Sequence, residues 1–516
     1  MENEAELKFA FQPGDLPRLR SLLKFESPAS GRAHTRRLAH VYFDTPDRRL
    51  LAEAIALRVQ KAGRGYVQRV ENLRHRPGLG SAKTAWTGRV PSDKPVPSTI
   101  GDVKLRDLVV RAGGEALAPV FRTEVERTTR DLVLDGGGEV RLDIDIGEIS
   151  AAGTARPVCE LGLGLKAGAP HRLYDLALEI QPALGLSLCS MSEAARGYAL
   201  LTGEPPGSMK APDLDLSGDI TVEQALVGTV RHCLDHVMAN EASVLESEDP
   251  EGVHQMRVAL RRLRSALRLF RSVLPAPQYG TLVEGIKWLA GELSATRDWD
   301  VLVDEIVGPV AARLPEETAF EVLLARLHEE RRRCRHAARD AIRSPRYTRF
   351  LLQSGGWLAK RAWRDQPPGE ASARLDDRLA GFADDVFARR HDKVCARGRR
   401  FESLSAGERH RLRIDVKRLR YATDFFGALY CKDAVTSYAA KLANIQDALG
   451  YRNDVAVARD LVKRLGDMCT GDDARQCRHA GAIVMGWHTR AMAQSETALA
   501  RSIDDFVACR PFWVMP

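Results

Sequence analysis

One basic helical segment occurs twice in this 516-residue chain. His254–Ser265 has the sequence HQMRVALRRLRS, and His410–Tyr421, 156 positions later, has the sequence HRLRIDVKRLRY. Both segments begin with histidine, place arginine three residues later and end in Arg-Leu-Arg plus one further residue. Such a repeat predicts an internal duplication, in which each copy contributes an equivalent helix to an equivalent helical bundle.

Each copy predicts a helix with an apolar face and a basic face. At about 100° per residue, the apolar side chains of a copy fall on one stripe and its basic side chains on another. A solvated helix face normally mixes acids and bases at i,i+4 spacing, and like charges at that spacing repel. The first basic stripe contains no acid, so we expect an anion to bind there. The two stripes are His254, Arg257, Arg261, Arg264, Arg268 and Arg271, and His410, Arg413, Lys417 and Arg420.

The expected anion is a phosphate polymer. Residues 389–420 hold 12 basic and 4 acidic residues, and they include a further track of Arg390, Lys393, Arg397 and Arg400. Arginine forks suit phosphate oxygens. Proteins that bind single-stranded nucleic acid interleave aromatic residues for base stacking, whereas only Tyr421 lies near a basic stripe here. Nucleic acid is therefore the less favoured ligand. The opening histidines could contact phosphate or only order the helix starts.

The first 165 residues predict β-strands instead. In residues 140–146, valine, leucine and isoleucine alternate with Arg141, Asp143 and Asp145, which is the period of a strand with one apolar face. Other segments in this region alternate in the same way. Two arrangements fit this pattern: an antiparallel sheet with one solvated side, or a closed barrel whose charged faces line a polar tunnel.

Breaker-rich segments divide the chain. Residues 204–218 are rich in proline and glycine and predict a linker. A second such segment at 364–373 separates the two copies of the basic helix. Asp249 and Pro250 predict the start of the first copy, and Ser405 with Glu408 predicts a capping box for the second.

The composition is typical of a soluble protein with two to four domains. Hydrophobic residues make up 44% and charged residues 28% of the chain, and the net charge is +8. The nine cysteines form no C-x-x-C pair, which favours a reduced, cytoplasmic setting without structural zinc. Neither a secretory signal nor an apolar run of about 20 residues is present, so we expect no membrane association.

The helical half resembles the CHAD family, named for conserved histidines in an α-helical domain. The matching segments are NEASVLESEDPEGVHQMRVALRRLRSALRLF, its echo HRLRIDVKRLRY, and the R-D-x-D and R-N-D stretches. The resemblance covers 219–508 and implies an all-α domain of two pseudo-symmetric four-helix bundles, about 219–363 and 374–508. It implies that inorganic polyphosphate is the ligand. The implied binding residues are His254, Arg257, Arg261, Arg262, Arg264, His410, Arg413, Lys417, Arg418 and Arg420.

The first half, 1–203, resembles the CYTH family of triphosphate tunnel metalloenzymes, and with CHAD it is similar to bacterial inorganic triphosphatases. The matching segments are EAELKF, VYFDTPDRRL, FRTEVER and MSEAARGYAL. The resemblance implies an antiparallel eight-stranded β-barrel with a tunnel and flanking helices, and therefore an α+β multidomain chain. It also implies Mg²⁺ or Mn²⁺ as cofactor and tripolyphosphate as substrate. The implied catalytic residues are Glu4, Glu6, Lys8, Arg58 and Arg127. The implied metal ligands are Glu4, Glu6, Asp145 and Glu160.

Five positions depart from the CYTH pattern on the predicted inward faces. They are Gln60, Glu71, Ala85, Gly162 and Glu193. In addition, Arg69 stands where the pattern has threonine, and it could partly compensate for Glu71. At Glu193 an acid replaces the lysine of the helix motif, and its charge would repel a substrate anion. At Gly162 an acid is lost, which could remove the site of a second metal ion.

Three functions therefore stay open. The chain could bind polyphosphate beside a weak or lost enzyme, act as a metal-dependent triphosphatase with a polyphosphate-binding module, or bind nucleic acid. We expect a cytoplasmic location, with polyphosphate granules as an open alternative.

Overall fold

A computed structural model describes residues 6–23, 33–73, 79, 84–135, 137–216, 219–274, 279–365 and 369–514. Glu4 lies outside the described residues, and so does the side chain of Ala85. Within them, the chain forms two compact units. The first comprises 1–209, 238–252 and 342–362, and the second comprises 210–237, 253–341 and 363–516.

The first unit contains one antiparallel sheet, with nine strands in the described part of the chain. The strands are β1 (Glu6–Ala10), β2 (His34–Asp44), β3 (Ile55–Ala62), β4 (Gly65–Asn72), β5 (Thr84–Val90), β6 (Ala118–Val133), β7 (Glu139–Ala151), β8 (Thr154–Ala167) and β9 (Ser187–Leu188). Their order across the sheet is β5-β4-β3-β2-β6-β7-β8-β1-β9.

The predicted count of eight strands is wrong. The additional strand is β9, whose two residues pair with Phe9 and Ala10 at the outer edge of β1. A strand of two residues is too short to show an alternating pattern in the sequence. Its position depends on the helix before it. Among the described residues no ladder joins β5 to β9, so closure of the sheet into a barrel stays a prediction.

The predicted alternation of β7 is confirmed. Val140, Leu142 and Ile144 are fully buried, whereas Arg141 is exposed. Asp145 departs from the pattern, because it lies on the polar face and is still only 4% exposed. The polar face of the sheet is therefore covered at this point, and a charge there needs a partner.

The helices occupy both units. They are α1 (Leu16–Leu22), α2 (Arg49–Ala52), α3 (Val103–Ala112), α4 (His171–Leu184), α5 (Glu193–Thr202), α6 (Val222–Ala239), α7 (Glu241–Glu246), α8 (Pro250–Leu269), α9 (Gly280–Val301), α10 (Gly308–Ala311), α11 (Ala319–Arg343), α12 (Pro345–Lys360), α13 (Glu370–Ala373), α14 (Leu379–Gly398), α15 (Ala406–Phe426), α16 (Lys432–Met468), α17 (Gly471–Gln494) and α18 (Glu496–Val507). In the described chain no helix is both long and apolar enough to span a bilayer.

Helix α12 packs in the first unit, although it lies in the helical half of the sequence. It packs against α4, where Gln181 donates a hydrogen bond to the carbonyl of Pro345 at 3.1 Å. Gly355 allows close contact, because a Cβ atom there would lie 2.3 Å from the ring of Tyr174. The domain boundaries predicted from the sequence are 1–203, 204–218 and 219–508. They stay a prediction, because the two units are defined by spatial contacts and not by sequence.

The repeated segments form α8 and α15, as their pattern predicts. Glu408 and Ser405 make both hydrogen bonds of the predicted capping box. Phe270 and Phe426, which occupy equivalent places in the duplication, pack edge to face with ring centroids 5.8 Å apart. Equivalent residues in direct contact indicate a local twofold relation between the two helices. The count of four helices in each bundle stays a prediction.

Asp44 links β2 to the start of α2 and to α5. Its fully buried carboxylate accepts hydrogen bonds from the backbone N–H groups of Thr45, Leu50 and Leu51 and from the hydroxyl of Tyr198, at 2.7 to 3.1 Å. These bonds satisfy donors at a helix start that have no partner within the helix.

We therefore expect Asp44→Ala to destabilise the first unit by about 3 kcal/mol, because three buried N–H groups lose their acceptor. Denaturant unfolding of the full chain, followed by circular dichroism, measures the loss. Asp47→Ala is the matched control, because this acid is exposed and its ion pair with Arg49 lies at the surface, and it should leave the transition nearly in place. Equal transitions for Asp44→Ala and wild type would contradict the role of Asp44.

Candidate functional site

The first unit contains a cavity of about 630 Å³ bounded by the polar face of the sheet and the start of α5. Among the described residues, seven cationic side chains and three carboxylates line it, so the described lining carries an excess of positive charge. The cations are Lys8, Arg36, Arg37, Arg58, Lys61, Arg69 and Arg127, and the carboxylates are Glu6, Glu71 and Glu193. Of the predicted catalytic residues, Glu6, Lys8, Arg58 and Arg127 therefore surround one space.

Two predicted metal ligands are paired with cations of this cavity. Arg127 donates two hydrogen bonds of 2.6 Å to Asp145. Lys8 lies 3.9 Å from Asp145 and forms an ion pair with Glu160. Arg196 also pairs with Glu160. Burial alone would lower the pKa of Lys8, but Glu160 and Asp145 outweigh burial and raise it, so this ammonium stays charged at neutral pH.

The described residues do not form a metal site. Among them no group of three or more histidine, cysteine, aspartate or glutamate side chains is placed to hold an ion. Asp145 and Glu160 are 4% and 1% exposed and already serve as counterions to Lys8, Arg127 and Arg196. Magnesium and manganese sites need free oxygen ligands, and Glu4 lies outside the described chain.

Glu193, which replaces a lysine of the CYTH pattern, is held by three neighbours. Its carboxylate lies 2.7 Å from His40 Nδ1, accepts a hydrogen bond from Tyr42 at 3.1 Å and lies 3.8 Å from Arg58. Burial would raise the pKa of Glu193, but the hydrogen bond from His40 and the nearby cations lower it well below the usual value. The acid is thus charged and locally neutralised.

Arg58 also lies 3.0 Å from the second replaced position, Glu71. It therefore lies between two acids. Arg69 shares one feature with Arg58: the Nε atoms of both are buried without a hydrogen-bond partner among the described residues. Burial, and then Arg58, lower the pKa of Arg69.

Gly162 leaves room for the acid that the CYTH pattern has there. A Cβ atom would lie 3.5 Å from Asp143 Cβ and 3.7 Å from Glu6 Oε1, which are ordinary van der Waals separations. Gln60, the remaining replaced position, lines the cavity with an uncharged side chain.

In the second unit, four cations of the repeated helices form a central cluster: Arg257 and Arg261 from α8, and Arg413 and Lys417 from α15. Their charges act on one another strongly enough to shift pKa values. Burial, then Arg413 and Arg261, lower the pKa of Lys417 to about 8. Burial lowers the pKa of Arg257 to about 10, although Asp298 opposes this.

Two polar partners of the central cluster follow the duplication. Arg257 lies 3.9 Å from Asp298 on α9, and its equivalent Arg413 donates to Asn453 on α16 at 3.2 Å. Arg257 Nε and Nη1 and Arg413 Nε are buried without hydrogen-bond partners within the described residues. Buried donors normally have partners, so these groups point to a ligand with acceptor oxygens.

The other predicted binding residues lie elsewhere. Arg262 stacks over Phe425, with its guanidinium 5.1 Å from the ring centroid. Arg418 lies 3.3 Å from Asp415, one turn earlier on its own helix. His410 is exposed, and the remaining predicted residues are partly buried: His254, Arg264 and Arg420. The structure thus brings four of the ten into one cluster.

Comparison with known proteins supports both predicted domains. A family model of the CHAD domain matches residues 228–463, and a model of the CYTH domain matches residues 2–198. The crystal structure of the CHAD domain from the plant Ricinus communis is 34% identical, with a TM-score of 0.52. That match covers 59% of this chain and 98% of the plant domain. The chain is a CYTH–CHAD protein.

Two Mycobacterium tuberculosis proteins, both described as uncharacterized, are 25% identical to this CYTH–CHAD protein over 447 residues. The match covers 83% of this chain and 82% of each relative. Their similarity therefore extends over both domains.

Sequence reasoning missed several residues that shape the CYTH cavity. His40 and Tyr42 contact Glu193, and Arg196 pairs with Glu160. Arg196 was detectable, because it belongs to the MSEAARGYAL motif and lies one helical turn after Glu193. The role of His40 depends on a strand and a helix 153 residues apart, which no local pattern reveals.

Lys417 should titrate near pH 8, because burial and two arginines oppose its charge. Arg413→Gln removes one of these charges and should raise the pKa toward the usual value. The measurement is the pH dependence of acylation of the Lys417 amine, read by mass spectrometry. Arg475→Gln is the control, since Arg475 pairs on the surface with Asp472 and should have no effect. A wild-type midpoint near 10 would contradict the central cluster.

Proposed function

We propose that this CYTH–CHAD protein binds inorganic polyphosphate through its CHAD domain. The observation that carries the proposal is the central cluster, in which partly buried arginines keep N–H donors without acceptors among the described residues, near the acids Asp298 and Asp454. A phosphate chain supplies charge and acceptor oxygens together, and it matches the fork geometry of arginine.

A phosphate chain suits the cluster better than nucleic acid does. Tyr421 is the aromatic residue at this surface, and its hydroxyl accepts from Arg261 at 3.4 Å. Phe270 and Phe426 are fully buried against each other, so they offer no face for base stacking.

The CYTH cavity is proposed to bind a short phosphate chain such as tripolyphosphate, with little or no hydrolysis. Its excess of cations favours an oligophosphate, and Arg69 offers an unpaired donor. Closure of the sheet into a tunnel would enclose this chain. Two of the predicted metal ligands, Asp145 and Glu160, are committed to Lys8, Arg127 and Arg196, so we derive no step through Mg²⁺ or Mn²⁺.

An active metal-dependent triphosphatase is the second candidate. It is favoured by the meeting of Glu6, Lys8, Arg58 and Arg127 around one cavity. For either function we propose a cytoplasmic location, and association with polyphosphate granules would follow from the ligand.

Replacing both Arg257 and Arg413 by glutamine should weaken binding of long-chain polyphosphate about 30- to 100-fold, since each lost charge-assisted contact contributes roughly tenfold. The dependence on salt should also become shallower by about two charges. Fluorescence titration of the full chain at several salt concentrations measures both quantities. Arg475→Gln, the surface control, should bind as wild type does.

Competition with RNA decides the class of ligand. Polyphosphate should displace RNA at equal phosphate concentration, because RNA gains no stacking at the central cluster. Displacement of polyphosphate by RNA would overturn the proposal.

Phosphate release from tripolyphosphate with Mg²⁺ or Mn²⁺ tests the CYTH domain. We expect a low rate for the wild type and a higher one for Gly162→Glu, because this change restores a free acid beside Glu6. The gain should vanish when Glu6→Ala is added. A substantial metal-dependent wild-type rate that Glu4→Ala with Glu6→Ala abolishes would establish the second candidate instead.

A further inference from the structure

The second unit contains another cavity, of about 590 Å³, away from the central cluster. It lies between the C-terminal end of α8, the middle of α14 and the middle of α15. Six cations line it: Arg268, Arg271, Arg389, Arg390, Lys393 and Arg418. The members of the central cluster are not among its described lining residues. Two of the six, Arg390 and Lys393, belong to the basic track that the sequence places on α14.

The single carboxylate of this cavity is already neutralised. Asp415 is 8% exposed, and its two oxygens contact Arg397 and Arg418. In the described chain no carboxylate lies within 4 Å of the other five cations. Asp415 therefore holds two arginines in place but leaves the charge of the cavity largely uncompensated.

Arg390 shows most clearly the excess of positive charge in this cavity. Its side chain is half-buried between helices, where burial, then Arg418 and Arg389, lower its pKa to about 10, although Asp415 opposes this. The guanidinium is still charged at neutral pH. Partial desolvation of a cation beside other cations costs free energy that a bound anion would recover.

The basic lining continues beyond the cavity on both sides. Arg268 and Arg271 also line a hollow that contains Lys287 on α9. Lys393 also lines one that contains Arg397, Arg400 and the carboxylate of Glu408. A ligand with several charges in a row would meet cations on both sides of the cavity and one acid, Glu408. A single small anion would contact only the cations of the cavity between the two hollows.

We propose that this cavity is a second anion-binding site, independent of the central cluster, for a run of neighbouring phosphate groups. The apolar lining is limited to Leu269 and Val386, and the described lining contains no aromatic ring to hold a base. The choice of phosphate rests on the function proposed for the CHAD domain. The existence of an anion site rests on the cavity and its charges alone.

Calorimetric titration of the full chain with tripolyphosphate, without added metal, tests the inference in four variants. Arg390→Gln and Lys393→Gln should each weaken one class of sites at least tenfold and leave the others unchanged. Lys393 is exposed, so its replacement should leave the fold intact. Arg257→Gln with Arg413→Gln should spare the cavity sites. Arg475→Gln, the equal loss of charge outside the cavity, should match the wild type.

Each outcome bears on one conclusion. Unchanged binding in both Arg390→Gln and Lys393→Gln would overturn the second site. The double variant Arg257→Gln with Arg413→Gln could also lose every class of sites. That result would overturn the second site, because the cavity would then not bind phosphate independently. Polyphosphate binding by the central cluster would still stand. If the wild type bound neither tripolyphosphate nor long-chain polyphosphate, the proposed function would fail.

A parallel titration with long-chain polyphosphate distinguishes a separate short-chain site from part of a polymer path. Weakening of tripolyphosphate binding alone by Arg390→Gln would indicate a site for short chains. Weakening of both would indicate that polymers pass through the cavity.

Discussion

The burial of like charges against one another is the constraint on which the CHAD domain depends. Core packing of α8 and α15, centred on Phe270 and Phe426, brings two basic helices together. Arg257, Arg261, Arg413 and Lys417 then share a half-buried space. The lowering of the Lys417 pKa from 10.5 to about 8 corresponds to roughly 3 kcal/mol of unfavourable interaction. Hydrophobic packing elsewhere in the unit must offset this cost, and an anion that binds there removes it.

The cations of the CYTH domain differ from those of the central cluster, because acids are paired with them. Buried acids compensate its cations: Asp145 holds Arg127, and Glu160 holds Lys8 and Arg196. Glu193 and Glu71 likewise engage Arg58. Two of the departures from the CYTH pattern, Glu71 and Glu193, are therefore connected, because both acids lie next to Arg58. This pairing keeps a polar cavity folded, and it also reduces the number of free acids and free cations available for chemistry.

Much of the fold could be predicted from local pattern. The alternation in residues 140–146 predicted β7, and the capping box at Ser405 predicted the start of α15. The resemblance of the motifs to the CYTH family predicted Glu6, Lys8, Arg58 and Arg127 as one site, and all four line one cavity. Strand β9 could not be predicted, because two residues carry no periodicity. The packing of α12 in the first unit was also beyond prediction, since it depends on Gly355 meeting Tyr174 across a gap of 181 positions.

The sequence by itself determined the duplication, the angle between the apolar and basic stripes of each repeated helix, and the kinds of residue at each motif. These are properties of one segment and its own period. Only the tertiary structure decided which charges meet. It separated Arg262 and Arg418 from the central cluster, bound Asp145 and Glu160 to cations, and enclosed Arg390 in a cavity. The physical reason is that the period of a helix or strand sets only the directions of its own side chains about its axis. Ion pairing and desolvation depend instead on distances between different elements, and only folding brings those elements together.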